Sequence, residues 1–187
     1  MILSPTNPKW LQVALADFDR VIVDHAHCEK KAAASAMSLV AAYPDRQRLV
    51  RRLSALAIEE LKHFRAVHLR LRRRGLTLGR DFGDPYAQAL MRLVRPGRGR
   101  LTDRLLVGAL IEARSRDRIE LLADALDDSE LRAFYKSLAE AEGRHADLFG
   151  ELARHYDDQE DAEARLATLV AAEEEILKRL PIEPRMH

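Results

Sequence analysis

Two short motifs in this sequence combine a carboxylate with an imidazole at a spacing that suits a metal ligand pair. Each has the form Glu-x-x-His, the first at Glu60 and His63 and the second at Glu142 and His145. Residues three apart lie on the same face of a helix, so each motif can direct both side chains at one metal ion.

A further glutamate lies upstream of each motif, Glu29 by 31 residues and Glu112 by 30. Residues equidistant from the turn of an antiparallel helical hairpin lie at the same height. Each pair of glutamates should therefore face each other about 23 Å from a turn, at 1.5 Å per residue. The segments midway between the paired glutamates contain turn-forming residues, Tyr43-Pro44-Asp45 and Asp127-Asp128-Ser129.

Together these residues predict a metal site of four carboxylates and two imidazoles, the ligand set of ferritin-like di-iron proteins. Oxygen and nitrogen donors without thiolate suit iron or manganese, and iron is the prediction. The single cysteine, Cys28, excludes zinc or iron sites that need several thiolates. The predicted metal ligands, through which catalysis would run, are Glu29, Glu60, His63, Glu112, Glu142 and His145.

Three more residues, Asp24, His25 and Asp117, lie close to these positions in the sequence. Each is predicted to orient a ligand imidazole through a hydrogen bond. The alternative is that each is an ordinary helix residue.

The elements that must position these residues are predicted to be helices. Glycine and proline number only 8 and 7, and apolar residues recur at spacings of three and four between them. The pattern predicts an all-α, ferritin-like four-helix bundle of two antiparallel hairpins with a long crossover and an extra C-terminal helix, in a single domain over residues 1–187. The expected helices are 8–42, 45–74, 102–126 with a cap at Thr102, 129–156 and 159–180, with a short helix at 85–94.

Charge is distributed unevenly along the chain. The overall balance is +1, but residues 46–104 carry +11, residues 1–45 carry −1 and residues 105–187 carry −9. Arginine's planar fork suits bidentate contacts with phosphate, so this basic region predicts contact with nucleic acid. The alternative is a solvated surface paired with the acidic half. The predicted phosphate contacts are Arg65, Arg70, Arg72, Arg73, Arg74, Arg92, Arg95, Arg98 and Arg100.

Composition also limits where in the cell the protein is expected to work. No apolar run approaches the about 20 residues of a membrane span, and residues 1–10 lack the pattern of a signal peptide. We expect a cytoplasmic protein with no membrane contact.

Five stretches, in order, give the sequence a resemblance to the MiaE family of tRNA hydroxylases. They are Asp24-His25-Ala26-His27-Cys28-Glu29-Lys30-Lys31-Ala32-Ala33, Glu59-Glu60-Leu61-Lys62-His63, Arg73-Arg74-Gly75, Val107-Gly108-Ala109-Leu110-Ile111-Glu112-Ala113-Arg114-Ser115 and Glu142-Gly143-Arg144-His145. The N-terminus is shorter than expected of that family.

The resemblance implies a non-haem di-iron monooxygenase that hydroxylates the isopentenyl group of 2-methylthio-N6-isopentenyladenosine beside the tRNA anticodon. It implies two iron ions per chain, O2 as co-substrate and the same six ligands, with neither flavin nor haem. The implied partners are the anticodon stem-loop and an external electron-transfer protein or reductase, since the sequence carries no redox-cofactor motif. A monomer or a dimer is expected.

Three other functions remain open from the sequence. A ferritin-type iron oxidase would use similar ligands but has no need of a basic crossover. A hydroxylase of a small molecule such as a quinone would need an apolar, membrane-facing surface. An RNA-binding helical protein with a vestigial metal site would bind no iron.

Overall fold

The protein is described here by a computed structural model that covers residues 3–157 and 159–187. Over those residues it contains seven α-helices, one short 3₁₀ turn at Gly97–Gly99 and no β-strand. The predicted all-α class is confirmed. The helices are α1 (Pro8–Ala16), α2 (Phe18–Ala42), α3 (Gln47–Arg73), α4 (Pro85–Met91), α5 (Arg100–Ala125), α6 (Ser129–Tyr156) and α7 (Gln159–Arg179).

The prediction of one helix over residues 8–42 is wrong, because the chain breaks at Asp17. Its backbone leaves the helical region at φ −136° and ψ 61°, and its side chain accepts a hydrogen bond from the backbone N–H of Arg20. Asp17 therefore caps α2, and α1 is a separate helix.

The assignment of Thr102 as a helix cap is also wrong. Helix α5 begins two residues earlier, after Gly99, and Thr102 is buried inside its first turn. The next helix, α6, is capped by Asp128, whose side chain accepts a hydrogen bond from the Leu131 backbone N–H.

The chain divides into two compact units, which are described separately. The first unit comprises residues 12–82 and 183–186, and the second comprises the described residues through 11, within 83–182, and 187. A single domain over the whole chain stays a prediction.

The first unit is built on the antiparallel hairpin of α2 and α3. On α3 the buried leucines recur at three- and four-residue spacing, at Leu49, Leu53 and Leu56, and each fully buried leucine contributes about 1.5–3 kcal/mol. The same face continues to Val67 and Leu71. That apolar face fixes the rotation of α3 and therefore the direction in which Glu60 points.

The second unit is built on the hairpin of α5 and α6, with α4 and α7 packed beside it. The two helices of the hairpin approach closely at Gly108, where an added Cβ would lie 3.0 Å from the Phe149 ring. Phe149 is itself buried.

Helix α7 is fastened to α5 by a buried ion pair. The guanidinium of Arg114 donates to both carboxylate oxygens of Glu173, at 2.9 and 3.2 Å, and both side chains are fully buried. The Tyr86 hydroxyl donates to the same carboxylate at 3.0 Å. No helix in the described part of the chain combines the length and hydropathy that crossing a membrane requires.

Candidate metal centre and nucleic-acid surface

The first unit brings together three of the predicted ligands, Glu29 from α2 with Glu60 and His63 from α3. All three point into the hairpin, and both carboxylates are buried. His63 Nδ1 lies 3.5 Å from Glu60 Oε2 and 3.6 Å from Glu29 Oε2. The equal distances of Glu29 and Glu60 from the turn therefore place them as predicted, and we name these three residues the first ligand group.

His25 lies one turn before Glu29 and is bonded to it. Its Nε2 is 2.7 Å from Glu29 Oε1, and both side chains are buried. Burial alone would raise the pKa of Glu29, but the hydrogen bond from His25 and the nearby imidazole of His63 outweigh it and hold that pKa well below its usual range. His25 was predicted to orient a ligand imidazole, whereas in the structure it orients a ligand carboxylate.

The protonation of His63 follows from the same contacts. Burial would lower the pKa of the imidazole, but the carboxylates of Glu29 and Glu60 raise it to about 10. A metal ion held by these residues would have to replace the proton of the His63 imidazole.

The second unit contains the other three predicted ligands, Glu112 on α5 with Glu142 and His145 on α6. All three are buried. A carboxylate oxygen of Glu142 and a ring nitrogen of His145 lie within 4.8 Å of each other. We name these three residues the second ligand group.

The donor set fits a transition metal better than any alternative ligand. Each group offers two buried carboxylates and one imidazole, a combination that suits iron or manganese. Burying a carboxylate is costly unless a cation is close, and a bound metal supplies that cation. The residues present are therefore compatible with the metal that the ligand pattern predicts.

Asp24 and Asp117 hold other parts of the fold. Asp24 accepts from the Met186 backbone N–H at 2.8 Å and from the Arg185 guanidinium at 3.2 Å, within the first unit. Asp117 accepts from Thr6 and Arg114, within the second unit. None of these bonds involves a predicted ligand, which supports the alternative of a structural role.

The structure separates the predicted phosphate-binding arginines into two sets, five on and after α3 in the first unit and four in the second. Within each set, one arginine binds a carboxylate of the chain itself. Arg74 pairs with Asp19 at 2.6 Å, and Arg95 pairs with Asp103 at 2.7 Å. Arg70 is half-buried and donates to the Ala66 carbonyl. The others are exposed, namely Arg65, Arg72, Arg73, Arg92, Arg98 and Arg100.

The role of Arg114 was not predicted. Arg114 stands two residues after Glu112, within one of the stretches that carry the resemblance, and its partner Glu173 is 59 residues further on. No local spacing could signal that pair, because the two residues share neither a helix nor a hairpin. The burial of Glu173 on α7 could be recognised only in the folded structure.

Comparisons with known proteins agree on one family. A model of the family described as tRNA-(MS[2]IO[6]A)-hydroxylase (MiaE) matches residues 1–187. A tRNA 2-(methylsulfanyl)-N(6)-isopentenyladenosine(37) hydroxylase of Pseudomonas putida is 42% identical over 185 residues, which is 98% of this chain and 89% of that protein. The Salmonella typhimurium protein of the same name is 33% identical over 142 residues, 75% of this chain and 52% of its own length.

A solved structure resembles the fold closely. It is described as protein 43 with aldehyde deformylating oxygenase activity from Synechococcus, and its TM-score is 0.93 at 38% identity, over 98% of this chain and 94% of that one. The likeness confirms the predicted ferritin-like fold class.

Proposed function

This chain belongs to the MiaE family of tRNA hydroxylases, and from that premise we propose that it hydroxylates the isopentenyl group of 2-methylthio-N6-isopentenyladenosine beside the tRNA anticodon. The observation that carries the proposal is the match over 98% of the chain to a relative of that name, with five of the six predicted ligands buried and His63 half-buried. The chain is an enzyme of the hydroxylase class. Because its substrate is tRNA, we expect it to work in the cytoplasm.

The six predicted ligands are proposed to hold two iron ions per chain. When bound, the irons supply the activation of O2 for insertion into a C–H bond. Burial of the four carboxylates and of His145 keeps bulk water away, and the hydrogen bond from His25 fixes the orientation of Glu29. His63 would have to lose its proton before its imidazole could hold a metal ion.

The reaction needs electrons from outside the chain. One O2, two electrons and two protons are consumed while one C–H bond becomes C–OH and the second oxygen atom leaves as water. The sequence contains no motif for flavin, nicotinamide or an iron–sulfur cluster. An external reductase or electron-transfer protein is therefore a required partner.

The exposed arginines are the proposed contacts to tRNA phosphates. Arg65 and Arg72 lie seven residues apart on α3 and share one face of it, so both can reach the same strand. Arg92, Arg98 and Arg100 are the exposed arginines of the second unit. Arg74 and Arg95 contribute less to RNA binding in this proposal, because each already binds a carboxylate.

A small-molecule oxygenase is the second candidate, favoured by the likeness to the Synechococcus protein, which is described by its aldehyde deformylating activity. An aldehyde substrate does not explain a net charge of +11 over residues 46–104. Assaying a long-chain aldehyde beside tRNA therefore distinguishes the two.

The test is nucleoside mass spectrometry of tRNA from a host that makes the isopentenylated base but not its hydroxylated form. With the gene present, the base should gain the mass of one oxygen atom. Glu142→Ala should abolish that gain and lower the iron content, whereas the matched control Glu140→Ala, two residues away and exposed, should change neither. An unmodified base beside an iron-loaded protein would overturn the tRNA assignment, and full activity of Glu142→Ala would overturn the ligand assignment.

A further inference from the structure

The loop between α3 and α4 presents an aromatic ring to solvent. Phe82 is 86% exposed, whereas the next most exposed large apolar side chain in the described residues, Ile58, is 58% exposed. Apolar side chains that stand so far out of the surface often mark a contact with another molecule. Phe82 belongs to the first unit, as do Arg80 and the residues of α2 that contact this loop.

The loop is held in place at two points that precede this ring in the sequence. The Asp81 carboxylate lies 3.5 Å from Lys30 Nζ and 3.8 Å from Lys31 Nζ. Three residues earlier, the Leu78 carbonyl accepts a hydrogen bond from His27 Nε2 at 3.0 Å. Because Asp81 is fixed against α2, the Phe82 ring is exposed even though the residue before it is held in place.

A planar cation accompanies the ring. The Arg80 guanidinium lies 6.0 Å from the Phe82 ring centroid, and Arg80 is exposed. The positive charges of Lys30, Lys31 and Arg80 outnumber the single negative charge of Asp81. The surroundings of the ring are therefore positive. An exposed ring beside a guanidinium in a positive setting is the arrangement that binds unpaired bases, since the ring stacks and the cation meets the backbone.

We propose that Phe82 and Arg80 form a stacking platform for an unpaired base of the anticodon loop. This inference rests on the proposed function and specifies a part of its substrate contact. The positive charge around the ring favours RNA over an apolar protein surface.

The base held on Phe82 is a neighbour of the reacting base and not the reacting base itself. Three- and four-residue spacing places His27, Lys30 and Lys31 on one face of α2. Glu29, two residues after His27, points about 200° around the helix from it, to the opposite face. The loop is therefore attached on the side of α2 away from the first ligand group, and the platform should affect binding rather than the chemical step.

The test measures binding of an anticodon stem-loop RNA carrying the isopentenylated base, together with kcat and KM for its hydroxylation with a small-molecule reductant. Phe82→Ala should weaken binding about 5- to 150-fold and raise KM without changing kcat or the dependence of affinity on salt. Phe82→Trp should retain the affinity. Arg80→Gln should weaken binding and lower the salt slope by about one. The matched control is Met37→Ala, an exposed apolar residue on α2, which should change nothing.

Three other outcomes would contradict the proposed stacking platform, and each can be told apart from the others. Unchanged RNA affinity in Phe82→Ala, with hydroxylation by the wild-type protein, removes the platform and leaves the proposed function intact. Unchanged RNA affinity with turnover lost only when a protein reductant supplies the electrons would assign Phe82 to that partner instead. A wild-type protein that neither binds nor hydroxylates the RNA would overturn both proposals.

Discussion

At the scale of single residues, burial and hydrogen bonding act in opposite directions on the Glu29 carboxylate. Burial favours its neutral form, whereas the hydrogen bond from His25 and the nearby His63 imidazole favour its charged form and prevail. The carboxylate is thus kept ionised and oriented without a metal ion, which lowers the reorganisation needed when a metal binds. The contact with His25 is the part of this arrangement that can be removed without removing a ligand.

We predict that His25→Ala weakens iron binding about 10- to 100-fold, because the hydrogen bond that orients Glu29 is lost. His25→Gln should restore part of the affinity, since its amide N–H can donate to the same oxygen. Iron titration of the metal-free variants, with circular dichroism as a check on folding, measures this. Wild-type affinity in the alanine variant would show that His25 does not position the ligand.

The residues of the site differ in how far the sequence could identify them. Glu29 and Glu60 were predictable as a pair because hairpin geometry converts equal distance from a turn into equal height. The hydrogen-bond partner of His25 was not predictable, because its imidazole can reach either a carboxylate or another ring from the same position. Phe82 could be read from the sequence only as one of few aromatic residues, since exposure depends on how the loop is held.

At the scale of helices, the hairpins were predictable and some of the helix ends were not. Turn-forming residues separate α2 from α3 and α5 from α6, and apolar periodicity continues up to those turns. The break at Asp17 has no glycine or proline, so only a capping aspartate within a continuous apolar pattern could have signalled it. Thr102 was a reasonable cap by residue type, but helical geometry extends two residues further, to Arg100.

The ion pair between α5 and α7 should contribute strongly to stability. Arg114→Ala leaves the Glu173 carboxylate buried without its guanidinium, and we predict a loss of about 3–5 kcal/mol in the free energy of unfolding. The control is Arg116→Ala, which removes the exposed pair with Glu120 and should cost less than about 1 kcal/mol. Urea denaturation measures both, and equal losses would contradict the assigned difference.

The buried carboxylate of Asp103 should make stability depend on pH in acid. Burial would raise its pKa, but hydrogen bonds from Arg95 and Arg165 lower it from 3.8 to about 2. A lowered carboxyl pKa stabilises the fold above the unfolded value of 3.8, and that contribution is lost as the pH falls through about 2.

We therefore predict that Asp103→Asn costs about 2 kcal/mol of unfolding free energy at pH 7 and little near pH 2. Urea unfolding of the wild-type and variant proteins across this range checks the prediction. Exposed Asp124→Asn serves as the control and should show no such convergence. A constant difference between the wild-type protein and Asp103→Asn at every pH would contradict it.

At the scale of the whole molecule, the charge pattern and the family agree on a polyanionic substrate. The sequence could identify the basic region because arginines dominate residues 46–104. It could not separate out the arginines that pair with a carboxylate of the same chain, because Asp19 is 55 residues from Arg74. The structure makes that separation and so identifies better targets for mutation.

We predict that Arg65→Gln combined with Arg72→Gln weakens binding of the anticodon stem-loop and lowers the salt slope by about two, one for each lost phosphate contact. The metal content should not change. Lys178→Gln is the control, since this exposed lysine lies among glutamates on α7. Binding isotherms at several salt concentrations measure the slope, and an unchanged slope would remove these two arginines from the RNA surface.

The close approach of α5 and α6 at Gly108 restricts the residues that position 108 can accept. Gly108 lies one helical turn before Glu112, and Phe149 lies one turn after His145, so their contact sets the spacing of α5 and α6 next to the second ligand group. A methyl group at 108 would force the helices apart by a few tenths of an ångström, comparable to the tolerance of about 0.2 Å on metal–ligand distances. A substitution that the core absorbs could still cost metal affinity. We therefore expect the proposed metal site to limit which residues position 108 tolerates before the stability of the fold does.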